Sequence, residues 1–159
     1  MKRFAIITAC CVLVFATTLA VGAWGKGQGT GKGPKKAAGH SLTVIEHPDT
    51  DVTTDTGAPG DSVGDVLTFA NGVFDSKDSA KVGTDNGYCI RTVAGEAYEC
   101  NWTTFLSKGQ ITVEGPFYDA KNSTLAITGG TGRYRHVRGT MDLNAMSDGK
   151  FQFVFHLNS

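Results

Sequence analysis

The sequence predicts an all-β fold, an eight-stranded antiparallel closed β-barrel, and three observations carry that expectation. Short runs rich in Val, Ile, Thr and Phe recur from Ser41 onward, clusters of Gly, Asp, Asn and Ser separate them, and no stretch sustains a helical apolar stripe. With no helices to cover a parallel sheet, such strands close into a barrel or stack as a sandwich. A barrel of about eight strands can hold one small ligand inside.

In chain order the expected strands are Ser41 to Glu46, Asp65 to Phe74, Ala80 to Val93, Glu96 to Leu106, Gln110 to Gly115, Ser123 to Thr128, Arg138 to Asn144 and Phe151 to Leu157. The acidic stretch Pro48 to Asp61 and the segment Asp75 to Ser79 are expected as loops, the first long enough to act as a lid. Ile127 to Tyr134, with Gly129, Gly130 and Gly132, is expected to connect strands through glycines at positive φ. It lacks the Lys and Ser or Thr that a phosphate loop places after its last glycine.

The domain behind this pattern is expected to span residues 41–159. Residues 1–23 carry Lys2 and Arg3, an apolar run from Phe4 to Val21 and the small residues Val21-Gly22-Ala23, the make-up of a cleavable export signal. Residues 24–40 hold six glycines and four lysines and are expected as a flexible linker. A secreted, extracellular or periplasmic location follows, with no stable membrane insertion after cleavage; an uncleaved signal anchor is the alternative.

The formal net charge of the 159 residues is zero, but all 15 acids lie beyond His40, where only nine Lys and Arg stand against them. That acidic balance disfavours a nucleic-acid partner, which needs a basic face. The four histidines fall in different segments with no metal spacing, so no metal and no organic cofactor is implied. No Gly-x-Ser-x-Gly elbow is present.

Export leaves Cys89 and Cys100 as an even pair in an oxidising compartment. If Ala94 and Gly95 are the two central residues of a tight hairpin, Val93 faces Glu96, Arg91 faces Tyr98 and Cys89 faces Cys100. Opposed residues lie about 5.5 Å apart at Cα, within disulfide range. Alternation puts Cys89, Arg91, Val93, Tyr98, Cys100 and Trp102 on one face, assigned to the interior, and Ile90, Thr92, Ala97, Glu99, Asn101 and Thr103 on the other. Arg91 would then need a partner such as Glu46 or Glu96. Glu46 shares a face with Leu42 and Val44; if that face points inward, its carboxyl has a raised pKa or a cationic partner and marks a candidate functional site.

Further motifs share one order: Gly64-Asp65 before Phe69-Ala70-Asn71, then Val82-Gly83, Gly87-Tyr88-Cys89, Gln110 to Pro116, and Leu125 to Gly132. This series resembles the allene oxide cyclase and dirigent-protein superfamily over Leu42 to Leu157. Cys89, Arg91, Thr92, Glu99, Cys100, Trp102 and Thr103 look most like its secreted bacterial members. The resemblance implies an eight-stranded barrel with an apolar cavity, and a homo-oligomer, trimer or dimer. In allene oxide cyclases an allylic epoxide opens and the resulting cation closes to a cyclopentenone, with a pocket glutamate facing the positive charge and an asparagine holding a water. Those positions match Glu46 and Asn71, and Cys89 matches a pocket-lining cysteine. Phe117 stands where the family has a tyrosine, and Pro48 where plant enzymes have a second pocket asparagine. The resemblance implies binding of a small apolar molecule in a cavity reached by Cys89 and Phe117, with a cyclase or isomerase reaction at Glu46 and Asn71, and the alternation adds Arg91, Tyr98 and Trp102 as candidate ligand-binding residues. The alternative it carries is a noncatalytic, dirigent-like protein that orients a reactive intermediate.

Overall fold

The computed structural model describes residues 39–158. The expected export signal, and the expected linker up to residue 38, lie outside the described residues. His40, expected to end the linker, instead opens the first strand.

Nine strands form one antiparallel sheet: β1 His40–His47, β2 Val52–Thr54, β3 Val66–Asp75, β4 Lys81–Val93, β5 Ala97–Leu106, β6 Gly109–Tyr118, β7 Ser123–Gly130, β8 Arg138–Ala145 and β9 Phe151–Asn158. Each of the eight expected strands is present, with boundaries moved by a few residues. β1 pairs with both β9 and β3, which closes eight strands into a barrel. The ninth, β2, lies within the expected loop Pro48 to Asp61. Its three exposed residues pair with β3 from Val52 opposite Thr68 to Thr54 opposite Val66.

β1 and β2 run along the same edge of β3 and leave a break between them. β1 pairs as far as His47 opposite Gly72, and β2 resumes at Val52 opposite Thr68, so residues 69–71 of β3 have no strand partner on that side. Side chains fill the break: Thr50 Oγ1 accepts the Ala70 N–H at 2.7 Å, and Asn71 turns its amide into it. Pro48 at the start of the break has no N–H to offer a ladder.

Inward-facing residues pack as alternation requires, with Val44, Val73, Ile111, Val113, Leu125, Met141, Phe153 and Phe155 all buried. The β4–β5 hairpin keeps Cys89 opposite Cys100 and Arg91 opposite Tyr98, but Val93 faces Ala97, not Glu96. The turn contains one more residue than a two-residue hairpin, Glu96 N–H donates to Val93 O at 3.1 Å, and an irregularity between Arg91 and Val93 absorbs the extra residue. Gly95 takes the positive φ of 69° that this turn needs. Two facing assignments change as a result: Val93 is exposed and Ala97 is buried.

In the Ile127 to Tyr134 segment, Gly129 and Gly130 continue β7, and of its glycines Gly132 alone takes a positive φ, 57°, opening a short 3₁₀ turn over Gly132–Tyr134. The basic residues Arg133, Arg135, His136 and Arg138 lie exposed around that turn.

Candidate functional site

A cavity of about 60 Å³ lies inside the barrel, room for roughly two waters. Its aromatic walls are Phe69, Trp102 and Phe153 on one side and Phe117 and Phe151 on the other, with Leu67, Leu143 and the Cys89–Cys100 disulfide between them. Phe69 meets Trp102 edge-on at 6.0 Å, Trp102 meets Phe153 at 5.5 Å, and Phe117 meets Phe151 at 5.8 Å. Gly87, opposite both Phe69 and Trp102, makes this packing possible, because a Cβ there would fall 2.2 Å from Trp102 Cβ.

The polar side of the cavity is Glu46 and Asp51. Glu46 ends the inward face of β1 and is 5% exposed. Asn71 Nδ2 donates to Glu46 Oε1 at 2.7 Å and to Asp51 Oδ1 at 2.7 Å, and its Oδ1 accepts from the Thr50 N–H at 3.0 Å and the Thr50 hydroxyl at 2.9 Å. Both amide donors and both carbonyl lone pairs are used, which fixes the amide's orientation. Burial pushes the Glu46 carboxyl up to about 7; the Asn71 hydrogen bond pulls down, and Asp51 and Asp49 push further up.

Behind this pair lies a group that the sequence reading missed. Asp85, opposite Asn71 on β4, is completely buried, and neither carboxyl oxygen has a hydrogen-bond partner. Burial raises its pKa to about 8, and the Glu46 charge adds to the rise. Thr104, opposite Asp85 on β5, is equally buried with its hydroxyl unpartnered. Both residues continue inward faces already recognised, Asp85 that of Cys89 and Arg91, and Thr104 that of Cys100 and Trp102. The period-two count was the available signal.

Of the residues expected at the site, Glu46, Cys89, Trp102 and Phe117 line the cavity with Cys100, and Asn71 holds Glu46 from behind. Arg91 and Tyr98 are buried but do not line it. Arg91 Nη1 donates to both oxygens of Asp119 at 2.8 Å, its Nε lies 2.7 Å from Asp61 Oδ1, and its guanidinium sits 3.6 Å over the Tyr98 ring. Its partners are therefore Asp61 and Asp119, not Glu46 or Glu96, and they draw the charge to the rim. Among the described residues no three His, Cys, Asp or Glu side chains converge as metal ligands.

Chemically, the arrangement sets one buried carboxyl, titrating near neutrality, against a space bounded by aromatic faces. As a carboxylate it can stabilise a positive charge that develops in that space, and as an acid it can donate a proton.

Comparison with solved structures finds the same barrel elsewhere. A pyocyanin demethylase is 28% identical, with a TM-score of 0.68 over 75% of this chain and all of its own. A pterocarpan synthase dirigent protein, 19% identical over 75% of this chain and 92% of its own at TM-score 0.61, shares the fold. An exo-specific intermolecular Diels-Alderase does so at 15% identity, over 77% of this chain and 99% of its own, with TM-score 0.62. The family model of the allene oxide cyclase barrel like domain matches residues 47–154. With the closed eight-stranded barrel and its glycine-marked strands in place, the chain belongs to the allene oxide cyclase barrel-like family.

Proposed function

We propose that this protein is an exported small-molecule-binding barrel that acts as a cyclase or isomerase on an unsaturated, largely apolar substrate. In this reading Glu46 faces the positive charge that develops on the substrate, and Asn71 is the residue that positions it. The observation that carries the reading is the Glu46 carboxyl, buried on the wall of an aromatic cavity and held by an amide whose hydrogen-bonding capacity is fully used. In a space that excludes water, a fixed carboxylate stabilises a developing cation far more strongly than it would in solvent. The rings would hold the substrate in a folded, reactive conformation.

The cavity is smaller than the roughly 300 Å³ or more typical of sites for drug-sized ligands. Accommodating a ligand of that size therefore requires the cavity walls to move apart. The Cys89–Cys100 bond on the cavity wall favours an oxidising compartment for the working protein.

The test compares wild type with Glu46→Gln on a panel of unsaturated epoxides and on pyocyanin, for which the 28% identical relative is named. Lost turnover with unchanged affinity supports catalysis at Glu46. Binding without turnover by wild type on every substrate would replace the enzyme with a dirigent-like binder, and absence of any binding would end both readings.

A further inference from the structure

The charge of the barrel is divided along its axis. One end gathers the starts of β1, β6 and β8 and the ends of β5, β7 and β9. There the turn at 107–108 and the connection 131–137 hold Lys108, Arg133, Arg135 and His136, and no Asp or Glu. His40 and Arg138 open the strands beside them. The cavity with Glu46 is at the other end, where the turns carry Asp49, Asp51, Glu96, Asp119 and Asp148.

Backbone packing assembles the basic end. Arg133 N–H donates to Lys108 O at 2.8 Å, Thr131 N–H donates to Gln110 O at 3.0 Å, and Val137 is buried beneath the connection. The two segments touch so closely that a Cβ at Gly132 would fall 2.5 Å from Lys108 O, and one at Gly109 would fall 2.2 Å from Thr131 O. An extended strand would send neighbouring side chains to opposite faces. The 3₁₀ turn instead brings Arg133, Arg135 and His136 to one groove of about 450 Å³, shared with His40, Tyr134 and Leu157. No acid lines it. Lys108, Arg133, Arg135 and Arg138 are exposed, and among the described residues none of them is ion-paired.

A second observation lies in the sequence. The described chain begins at this same end, and the residues before it carry Lys26, Lys32, Lys35 and Lys36 behind the apolar run Phe4 to Val21. No acid precedes Glu46 anywhere in the chain.

We propose that the basic end of the barrel docks, without inserting, on the surface of an anionic phospholipid bilayer. Lys108, Arg133, Arg135 and Arg138 supply the attraction, and the cavity end turns toward solvent. Exposed, unpaired cations spread over one end suit an extended anionic surface, where each basic side chain adds its own attraction to the lipid charge. The partner is a bilayer because this is the end that the chain joins to the lysines and the apolar run. The inference stands apart from what the cavity binds.

The experiment mixes the full chain with vesicles of phosphatidylcholine alone or of phosphatidylcholine with phosphatidylglycerol, and follows cosedimentation and hydrogen exchange. The apolar run can itself enter either bilayer, so the readouts are charge dependence and place. The mixed vesicles should slow exchange over residues 131–138 and leave residues 117–122, at the cavity end, unchanged; added salt should reverse the effect. Arg133→Gln with Arg135→Gln should weaken binding to the mixed vesicles on the order of 30-fold, the attraction of two basic side chains, while Arg133→Lys with Arg135→Lys should retain it. Equal protection by both kinds of vesicle, protection at the cavity end, or none at residues 131–138 overturns the inference. Protection there by soluble polyphosphate and not by the mixed vesicles also overturns it, and makes the basic end a site for a dissolved polyanion.

Discussion

Asn71 Nδ2 donates to Glu46 Oε1 across 2.7 Å, so an amide on β3 sets both the position and the acidity of a carboxyl on β1. The same amide holds Asp51 and receives Thr50 at the break between β1 and β2. Asn71→Ala strips all of these partners at once and leaves buried polar atoms unpaired. It should lower stability by about 3 kcal/mol in urea unfolding and raise the Glu46 pKa beyond about 7, read by carbon-13 titration. An unmoved Glu46 titration in a folded Asn71→Ala protein would show that the amide does not tune the carboxyl.

Stability should respond to pH in an unusual direction. Glu46 rises from an ordinary 4.5 to about 7, and Asp85 from 3.8 to about 8, so the folded state binds these protons more tightly than the unfolded chain. Their contribution is complete below the unfolded values and is lost as pH climbs through about 7 and about 8. Asp65, Asp75, Asp78, Asp142 and Asp148 are shifted downward by hydrogen bonds, and their contribution disappears as pH falls below 3.8. Maximal stability is expected near about pH 5. Asp85→Asn should flatten the alkaline decline and exceed wild type by on the order of 2 kcal/mol at about pH 9, since it removes a buried charge with no partner. Parallel urea curves for the two proteins at acid and alkaline pH would contradict this account.

Much of the fold was legible because period-two alternation is a local property. Cys89, Tyr98, Cys100 and Trp102 point inward as counted, and the resemblance brought Asn71 to the site through its place in a motif. Asp85 and Thr104 lie on those same inward faces, but a polar residue in mid-strand does not advertise burial, since only the barrel's closure removes its water. The partners of Arg91 were not legible, because Asp61 and Asp119 are 30 and 28 residues away along the chain and reach it only through the fold. β2 was not legible either. Three exposed residues, Val52-Thr53-Thr54, carry no apolar alternation, and their pairing exists because β1 breaks at Pro48.

Arg91 fastens the long β2–β3 connection to the barrel rim. Asp61 accepts the Gly95 N–H as well as facing Arg91 Nε, and the Gly64 N–H donates to the Arg91 carbonyl at 2.9 Å. Arg91→Met keeps a long apolar side chain and removes the guanidinium from Asp61, Asp119 and the Tyr98 ring. It should cost about 2 kcal/mol, below the figure for a fully buried pair because Asp61 and Asp119 are partly exposed. Hydrogen exchange over residues 55–64 should accelerate while the β6–β8 amides remain protected. Uniform acceleration across the barrel would mean that Arg91 supports the whole fold and not this connection. Arg91→Lys should recover only part of the loss, because an ammonium cannot span the two carboxylates as the guanidinium does.

The Cys89–Cys100 bond allows a test that separates stability from site geometry. Trypsin cuts after Arg91, between the two cysteines, so a nonreducing digest should yield Val82–Arg91 still joined to Thr92–Lys108, and reduction should release them as separate peptides. The bond joins residues 11 apart, and in the chain-entropy model a loop of that size contributes about 3 kcal/mol. The double substitution Cys89→Ala with Cys100→Ala should lose about that much in urea unfolding. It also removes two sulfurs from the cavity wall beside Trp102 and Phe117, so ligand affinity and stability report different things. If the bond only constrains the unfolded chain, affinity at a temperature where both proteins are folded should match wild type. If the sulfurs shape the cavity, affinity should fall although the barrel remains intact. The direct cross-strand pairing of Cys89 with Cys100 already holds their neighbours Gly87 and Trp102 in register through the β4–β5 ladder, which favours the second outcome: without the bridge, the wall that Trp102 presents has a continuous ladder behind it but a gap beside it.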